Sequence, residues 1–462
     1  MTKLVLGMRP RVDNDRSTGT RPSAEFNPTF QHDAELYRNG LDWISENLAS
    51  MISDLTTLVK CDTSFPPGNN YPAFVNLIDA ISSDLDGSSE RIVVPEKYWK
   101  TAETDGPRVN LVRIPKFEAS DAPPLHIYFH TDTAPAGDGW SKAPFDLTRE
   151  GDKLYGRGTA DMKGAMVAAL CALRALSVAK MPLRYRPLLL FCTDEEGGKF
   201  PGIRYLAEQG RLDGAILNLN GSATPRIWAG CFGSLDIRLR FIGHSTHSGN
   251  PAGGTNALEE AILPVARLLD LKKMVERRQS KMPSPDPRFP LHGMLSITSA
   301  NAGIKGSALP GLSEFIINRR YLPEEDMTQV MDEIKTTIAD AVASTQLLDH
   351  ELEVIGHLPP VIDPDGPETA RWTAAQSAGY AVPLNKFRRF GSTTSSDFGW
   401  VQRAGFKHIM LGGLSRPERH VHGPDEHTTT DDIIGLARSI FLFLTRNFDL
   451  NFELTTENQE IN

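Results

Sequence analysis

Cysteine is scarce in this chain, and long hydrophobic runs are absent from it. The four cysteines, at positions 61, 171, 192 and 231, form no C-x-x-C pair. In a chain of 462 residues this spacing argues against a disulfide framework. No apolar stretch approaches the roughly 20 residues of a membrane-spanning helix. The N-terminal M-T-K-L-V-L-G-M-R-P has too short an apolar core for a signal peptide, so we expect a cytoplasmic protein with no membrane partner.

Positive charge is also in short supply. The chain has 49 Lys and Arg against 58 Asp and Glu, which gives a net charge of -9. A nucleic-acid-binding protein would show a basic footprint, so we expect no nucleic-acid partner. The hydrophobic content of 40% and charged content of 23% are typical of a soluble globular protein. The length predicts two or three domains.

Hydrophobic periodicity predicts helices alternating with strands. Residues 1–30 are polar and show little periodicity, which indicates an extended or mobile arm. Apolar residues recur at helical spacing over residues 34–59. Two short, continuous apolar runs, at residues 125–129 and 187–192, predict buried strands.

The stretch Y-G-R-G-T-A-D-M-K-G, from Tyr155 to Gly164, holds three glycines and one acid, Asp161. Such a glycine density predicts tight turns or a close backbone approach. A helix-forming run follows at once, so Asp161 lies in a loop just before a helix. Two interpretations are open: a helix N-cap aspartate, or a carboxylate that bridges two metal ions.

Two further clusters follow the predicted buried strands. His130-Thr131-Asp132 comes after the first strand, and Asp194-Glu195-Glu196 comes after the second. In open α/β sheets ligands collect beyond the carboxyl ends of strands. A divalent cation would relieve the repulsion among adjacent acids, and an acid with a raised pKa can serve as a general base. The alternatives are a hydrogen-bonded histidine with an Asx-turn aspartate, and a solvated acidic turn.

Five segments in order carry a family resemblance. They are H-T-D-T-A-P from His130, G-R-G-T-A-D-M-K-G from Gly156, T-D-E-E-G-G from Thr193, G-H-S-T-H-S-G-N-P-A-G-G-T-N-A from Gly243, and V-H-G-P-D-E-H from Val421. In order and spacing the chain resembles the metal-dependent amidohydrolases of the M20 peptidase family, over roughly residues 35–450. Five ordered motifs are specific, whereas one alone would be weak.

The resemblance implies an α/β fold with a mixed-sheet, zinc-peptidase-like catalytic domain. That domain would comprise residues 1–232 and 357–462. Residues 233–356 would form an inserted ferredoxin-like α+β lid and dimerisation domain. The predicted element order of this middle region, β-α-β-β-α-β, fits such a unit.

The resemblance also implies a metal centre. Asp161 would bridge two metals and His130 would bind one of them, with Asp132 orienting the imidazole. Glu196 and His422 would complete the other site, although His420 and His427 are near competitors for the last position. Glu195 would be the general base for metal-activated water. Nitrogen and oxygen ligands of this kind suit Zn²⁺ or Mn²⁺.

In the lid, the resemblance implies a homodimer and two functional residues. His247 matches a histidine that reaches the partner's active site, and Arg320 matches an arginine that grips a substrate carboxylate. Ser392 and Thr393, in a polar loop, would offer hydroxyls to the substrate. Without the resemblance these would be a turn histidine, a solvated arginine and a plain Ser/Thr turn.

The chain departs from the family in two places. Members carry a further acidic ligand after a D-x-A-I type strand, but here that strand leads into Asn218 and Asn220. A neutral amide holds a dication less well than a carboxylate, so we predict one tightly bound metal per subunit. In the lid, where members show N-x-x-P, this chain has Ser307 followed by Ala-Leu-Pro. The substrate pocket should therefore differ from that of the commonest members.

The resulting hypothesis is a metal-dependent hydrolase of a C–N bond in a small carboxylate-bearing substrate. One alternative is a hydrolytic deaminase of an amino-substituted aromatic acid that uses a single metal. A second alternative is a degenerate relative that binds a small molecule without catalysis. Retention of Glu195 argues against the second alternative, because a binding protein needs no base beside a metal.

Overall fold

The computed structural model describes residues 4–7, 28–117, 121–448 and 453–456. Most of the predicted arm, residues 1–30, lies outside this range and stays a prediction. In the described part of residues 1–30 the structure shows one strand and, from Pro28, the start of a helix. That strand pairs antiparallel with residues 453–456, so segments from both ends of the described chain share a two-stranded sheet.

The described chain contains both strands and helices. The strands are β1 (Leu4–Gly7), β2 (Gly87–Val94), β3 (Arg108–Pro115), β4 (Pro124–His130), β5 (Thr148–Glu150), β6 (Lys153–Tyr155), β7 (Arg186–Cys192), β8 (Ala215–Asn218), β9 (Arg226–Cys231), β10 (Gly233–Ile242), β11 (Met294–Ala302), β12 (Leu312–Tyr321), β13 (Asp349–Leu358), β14 (Val361–Ile362), β15 (Arg388–Ser392), β16 (Ile409–Leu411), β17 (His427–Thr429) and β18 (Glu453–Thr456). The α-helices are α1 (Pro28–Glu46), α2 (Leu48–Lys60), α3 (Tyr71–Ile81), α4 (Lys163–Ala179), α5 (Gly202–Glu208), α6 (Ala257–Glu260), α7 (Ile262–Val275), α8 (Met327–Val342), α9 (Thr369–Gly379), α10 (Phe398–Arg403) and α11 (Thr430–Leu444). Over the described residues, none of these helices combines the length and apolar character needed to cross a bilayer.

Six strands form the main sheet, in the order β16-β8-β4-β7-β3-β2. Strand β4 pairs in parallel with β7 and β8, and β16 continues in parallel from β8. Strands β2 and β3 add an antiparallel edge. The sheet is therefore mixed, which confirms the predicted fold class. Strands β4 and β7 are apolar almost throughout because elements cover both faces of the sheet.

Alternate residues of β4 enter two different cores. Ile127 and Phe129 belong to a core shared with helices α1 to α4, α9 and α11. Tyr128 belongs to the opposite core, which includes residues of α5 and α10. Because successive strand residues point to opposite faces, His130 at the end of β4 shares the face of Tyr128.

Helix α4 begins directly after the Asp161–Met162 peptide and is buried along nearly its whole length. Its N-cap residue is Met162, and no side-chain hydrogen bond caps the helix. Gly164 packs closely against the preceding loop, since a Cβ there would come within 2.3 Å of the Thr159 carbonyl oxygen. The N-cap interpretation of Asp161 is therefore wrong, and its carboxylate is available for another role.

A separate four-stranded antiparallel sheet occupies the middle of the chain. Its strands follow the order β11-β12-β10-β13, and helices α7 and α8 contribute to one apolar core with it. Along the chain the main elements run β10-α7-β11-β12-α8-β13, which is the predicted β-α-β-β-α-β order. The exact domain bounds, 1–232, 233–356 and 357–462, and the role of a lid stay predictions.

Two three-stranded sheets bring distant segments to the carboxyl end of the main sheet. In one, β17 pairs with β6, which sets His427 opposite Tyr155. The segment that follows His422 is thereby fixed beside the glycine-rich loop of Asp161. In the other, β15 pairs in parallel with β9, and β15 leads into the polar loop at residues 392–397.

Candidate active site

His130 closes strand β4 and is fully buried. Its Nδ1 lies 3.0 Å from the backbone oxygen of Asp132 and 3.6 Å from Oδ1 of the same residue. An imidazole held in this way on one nitrogen presents the other nitrogen to a metal. Asp132 is fixed in turn, because its Oδ2 accepts a hydrogen bond from the Glu196 backbone N–H at 2.8 Å.

Asp161 lies between two histidines. Its Oδ1 is 2.9 Å from Nε2 of His130, and its Oδ2 is 3.4 Å from Nε2 of His422. The loop that presents it needs glycine at position 158, where φ is +83° and a Cβ would lie 2.8 Å from the Thr133 side chain. Each carboxylate oxygen thus faces a different imidazole, which is the arrangement of a bridging ligand.

Glu196 completes a compact donor set. Its Oε1 accepts a hydrogen bond from the Ala134 N–H, and its Oε2 lies 2.9 Å from Nε2 of His422. His130, Asp161 and Glu196 each offer a ligand atom within 4.8 Å of the other two. With His422, which lies 2.9 Å from Glu196, the site offers two imidazoles and two carboxylates, which are ligands that Zn²⁺ and Mn²⁺ accept. The residues present therefore fit a divalent cation.

Strong electrostatic coupling joins these groups. Hydrogen bonds to Asp161 and Glu196 raise the pKa of His422 to about 11. Burial opposes ionisation of Asp161, yet His130 and His422 together hold the pKa of that carboxyl well below its usual range. Burial disfavours charge on His130 as well, but Asp132 and Asp161 outweigh it and raise its pKa. Histidine protons balance the carboxylates here, and a bound dication would replace them.

Glu195 stands beside this donor set. Its side chain is half-buried, and among the described residues none donates a hydrogen bond to its carboxylate. Burial raises the pKa of Glu195 well above its usual range, and the nearby carboxylate of Asp397 raises it further. A carboxyl group that has an elevated pKa, and an oxygen that accepts no hydrogen bond from the described residues, is suited to proton transfer.

The expected extra acid is absent at the end of β8. Asn218 is buried, and its Oδ1 accepts a hydrogen bond from the Asn220 backbone N–H at 2.8 Å. The amide oxygen of Asn218 is therefore engaged within its own turn. In the described structure neither asparagine side chain makes a hydrogen bond to His130, Asp161 or Glu196.

Sequence reasoning missed a buried carboxylate near this centre. Asp397, only 2% exposed, accepts a hydrogen bond from the Tyr128 hydroxyl at 2.8 Å. Tyr128 precedes His130 by two residues, and in the pairing of β4 with β8 it lies opposite Asn218. Burial raises the pKa of Asp397 to about 7. In the sequence Asp397 was only the last residue of a polar loop, and no motif singled it out.

Arg320 lies on β12 and reaches the polar loop at residues 392–397. Its guanidinium donates to Ser395 Oγ at 2.8 Å and to Asn318 Oδ1 at 3.2 Å. In the same loop, the hydroxyls of Ser392 and Thr394 are 2.5 Å apart, and Thr393 between them is half-buried. The structure therefore brings the predicted carboxylate-binding arginine beside the predicted hydroxyl loop.

His247 lies apart from the donor set. It is exposed, and its Nδ1 accepts a hydrogen bond from the Gly249 N–H. Its neighbour Ser248 donates a backbone hydrogen bond to the Ser307 carbonyl, which joins the two predicted lid segments. Within the described part of the chain, no hydrogen bond or ion pair links His247 to the residues of the donor set.

A family model described as peptidase family M20/M25/M40 matches residues 126–446. Among curated proteins, the chain is 33% identical over 231 residues to an acetylornithine deacetylase from Klebsiella pneumoniae strain 342. That match covers 46% of this chain and 58% of the relative, so it spans somewhat more than half of the relative's length.

Solved structures share the fold at low identity. The dipeptidase Dug1p from Saccharomyces cerevisiae superposes with a TM-score of 0.70 at 13% identity, covering 88% of this chain and 97% of that one. The metallo-carboxypeptidase Sso-CP2 from Sulfolobus solfataricus gives a TM-score of 0.66 at 18% identity, covering 85% and 98%. At such identities the likeness establishes the fold alone.

Proposed function

The chain belongs to peptidase family M20/M25/M40, and from this premise we propose that it hydrolyses a C–N bond in a small substrate that carries a carboxylate. One observation supports this most: a carboxylate with no hydrogen bond from the described residues, Glu195, stands next to a donor set that fits a divalent cation. A binding protein would need the donor set but not the free base.

The arrangement of the donor set supports the following proposed roles. Asp161, Glu196 and His422 would hold one divalent cation, Zn²⁺ or Mn²⁺, tightly in each subunit, with His130 facing the same aspartate. A cation bound there supplies Lewis acidity and lowers the pKa of water towards ~7. Glu195 would accept the proton of the attacking water and deliver it to the leaving nitrogen. Asp132 would keep the His130 ring in place.

Substrate selection would fall to Arg320 and its surroundings. A guanidinium can grip a carboxylate through two parallel hydrogen bonds. In the structure Arg320 donates a hydrogen bond to the hydroxyl of Ser395. This partner is neutral, so a substrate carboxylate would displace it. Ser392, Thr393 and Ser307 would contact the remainder of the substrate. His247 would act in the active site of the partner subunit in a homodimer, and we expect a cytoplasmic enzyme.

N-acyl amino acids are the first substrates to test, because the Klebsiella relative carries the name acetylornithine deacetylase. Purified protein with measured metal content should be assayed against N-acyl amino acids, dipeptides and aminoaromatic acids. Hydrolysis of members of either of the first two groups, lost on metal removal and restored by Zn²⁺ or Mn²⁺, is the expected result. No hydrolysis of any C–N bond by the metal-loaded protein would contradict the proposal.

A hydrolytic deaminase of an amino-substituted aromatic acid is the second candidate. The side of the metal centre around His130 lacks the expected acid, and the amide oxygen of Asn218 is engaged by the Asn220 N–H. A centre that holds only one cation favours this reaction. One cation would then activate water for attack on a ring carbon that releases ammonia. Ammonia release from an aminoaromatic acid, without amide hydrolysis, would identify this reaction in the same assay.

A further inference from the structure

Arg157 and Glu426 form a buried ion pair beneath the candidate metal centre. Nη1 of Arg157 lies 2.7 Å from Oε2 of Glu426, and each side chain is 1% exposed. Glu426 occurs in the Val421 motif, but neither residue has a ligand atom in the donor set. Their contacts go instead to the backbone of segments that carry the ligands.

Glu426 fixes the loop of Asp161. Its Oε1 accepts hydrogen bonds from the backbone N–H groups of Ala160 at 3.0 Å and Asp161 at 3.1 Å. Its Oε2 accepts another from Gly158 at 3.0 Å. A single carboxylate thus determines where the backbone of the bridging residue lies. Charge-assisted hydrogen bonds of this kind are stronger than neutral ones.

Arg157 joins the other two ligand-bearing segments. Its Nη2 donates to the carbonyl oxygens of Pro135 and Ala136, which follow His130 and Asp132, at 3.0 and 3.2 Å. The same nitrogen lies 3.3 Å from the carbonyl oxygens of His422 and Gly423. Arg157 itself lies in the loop of Asp161. Its guanidinium therefore links that loop to the segments that carry His130 and His422.

We propose that Glu426 and Arg157 are positioning residues that set the separation of His130, Asp161 and His422, and thereby the affinity for the cation. The inference rests on the metal centre of the proposed function but not on the reaction itself. Outer groups that orient metal ligands typically change affinity by 10–100-fold when they are altered. A carboxylate that merely neutralised a buried arginine would leave the affinity unchanged.

Two variants separate positioning from simple stability. Glu426→Gln keeps the shape of the side chain but removes its charge and replaces one acceptor oxygen by an amino group. Arg157→Lys keeps the positive charge, but its single nitrogen cannot both pair with Glu426, as Nη1 does, and reach the carbonyl oxygens that Nη2 contacts. The second variant retains a counter-charge for Glu426, so it tests the idea even where the first folds poorly.

The matched control is Glu325→Gln in the middle sheet region. Glu325 pairs at 2.6 Å with Arg319, whose side chain is 1% exposed, and at 2.9 Å with the half-buried Arg278, so the change also removes the negative charge that faces a buried arginine. This pair touches none of the ligand-bearing segments in the described structure. It therefore reports the cost of an unpaired buried charge in the same protein.

The measurement is the affinity for Zn²⁺ and Mn²⁺ by competition with a chromophoric chelator, alongside the unfolding temperature with and without metal. We expect all three variants to unfold at lower temperature when metal-free. Only Glu426→Gln and Arg157→Lys should weaken metal binding, by about 10–100-fold, and lose part of the metal-dependent rise in unfolding temperature. Affinities within twofold of the unmodified protein in both variants, or an equal loss in Glu325→Gln, would overturn the inference. A protein that binds metal as expected but hydrolyses nothing would refute the proposed reaction and leave this inference standing.

Discussion

At the scale of single residues, the proposed chemistry depends on the contrast between Glu195 and Glu196. The two acids are adjacent in sequence, yet their surroundings differ. Glu196 is engaged by His422 and by a backbone N–H, whereas no described residue donates a hydrogen bond to Glu195. Neighbouring carboxylates with different environments can divide ligand and base roles between them. This division can be tested directly by substitution.

Glu195→Gln removes the proton acceptor while preserving the size of the side chain. We expect turnover to fall by ~10² or more, with metal content unchanged, because the residue is not a ligand. Steady-state kinetics on a substrate found in the assay, with metal analysis of the same preparation, provides the check. Turnover close to that of the unmodified protein would show that another group is the base.

His422 and His130 should differ in their importance for metal retention. His422 faces both Asp161 and Glu196, whereas His130 faces Asp161 in the half-site without the extra acid. We expect His422→Ala to abolish tight binding and His130→Ala to retain most of it. Metal content of the two dialysed variants, compared side by side, decides between them. Equal losses would mean that the two histidines contribute equally to one site.

His130, Asp161 and Glu196 could be picked out as candidates because each lies in a local motif, at or after the end of an apolar strand or within a glycine-rich loop; their role as ligands stays a prediction. Asp397 could not be predicted in this way. Its contact with Tyr128 spans 269 positions, so only the folded chain brings the two together. The same holds for Arg157 and Glu426, which are also 269 positions apart.

At the scale of secondary-structure elements, the long apolar strands and helices followed from their periodicity, and the short or broken elements did not. The helical pattern over residues 34–59 is in fact two helices, because α1 ends at Glu46 and α2 begins at Leu48. Helical spacing of apolar residues continues across Asn47, so the pattern gave no sign of the break. Strands β5, β6, β14 and β17 have two or three residues, too few to establish a period.

Strand β13 of the middle sheet carries a half-buried titratable group, His357, near its end. Burial, and then Arg403 and Arg204, lower the pKa of His357 to about 4. Its Nε2 lies 2.9 Å from the Tyr321 hydroxyl on β12. In the folded protein the imidazole therefore stays neutral at pH values where an unfolded chain, with a pKa near ~6.5, already takes up a proton.

This difference predicts an acid-dependent loss of stability. The contribution of His357 to the free energy of unfolding is fully present above pH ~6.5. It is lost as the pH falls towards 4, because over that range the unfolded state binds more protons than the folded state. His357→Gln should reduce the loss by about 1–2 kcal/mol, a figure discounted for partial exposure. Denaturant unfolding of both proteins between pH 7 and 4 provides the comparison. Parallel curves would show that His357 does not contribute.

At the scale of the whole molecule, the position of His247 argues for assembly. This histidine is exposed, and no contact within the described chain joins it to the candidate metal centre. The middle sheet also exposes apolar side chains on α6 and α7, including Leu258, Ile262 and Leu269, at 42%, 64% and 44% exposure. These three lie on one side of the helical segment, beside a sheet in which β11 is one of the two edge strands.

We predict a homodimer joined through residues of about 233–356. Sedimentation should give twice the chain mass, and the double variant Ile262→Glu, Leu269→Glu should give a monomer of reduced activity. His247→Ala should lower activity in an intact dimer while leaving metal content alone. A fully active monomer would contradict both the assembly and the role of His247.

Each subunit is predicted to hold one cation tightly, bound by Asp161, Glu196 and His422. Without a carboxylate at position 218 or 220, loading a second dication beside the first carries a larger electrostatic cost. Elemental analysis of the unmodified protein after exhaustive dialysis tests this most directly. The prediction is one equivalent of Zn²⁺ or Mn²⁺ per chain. Two retained equivalents would contradict it, and would point to a carboxylate elsewhere, with Asp397 the first to substitute, as the replacement for the missing acid.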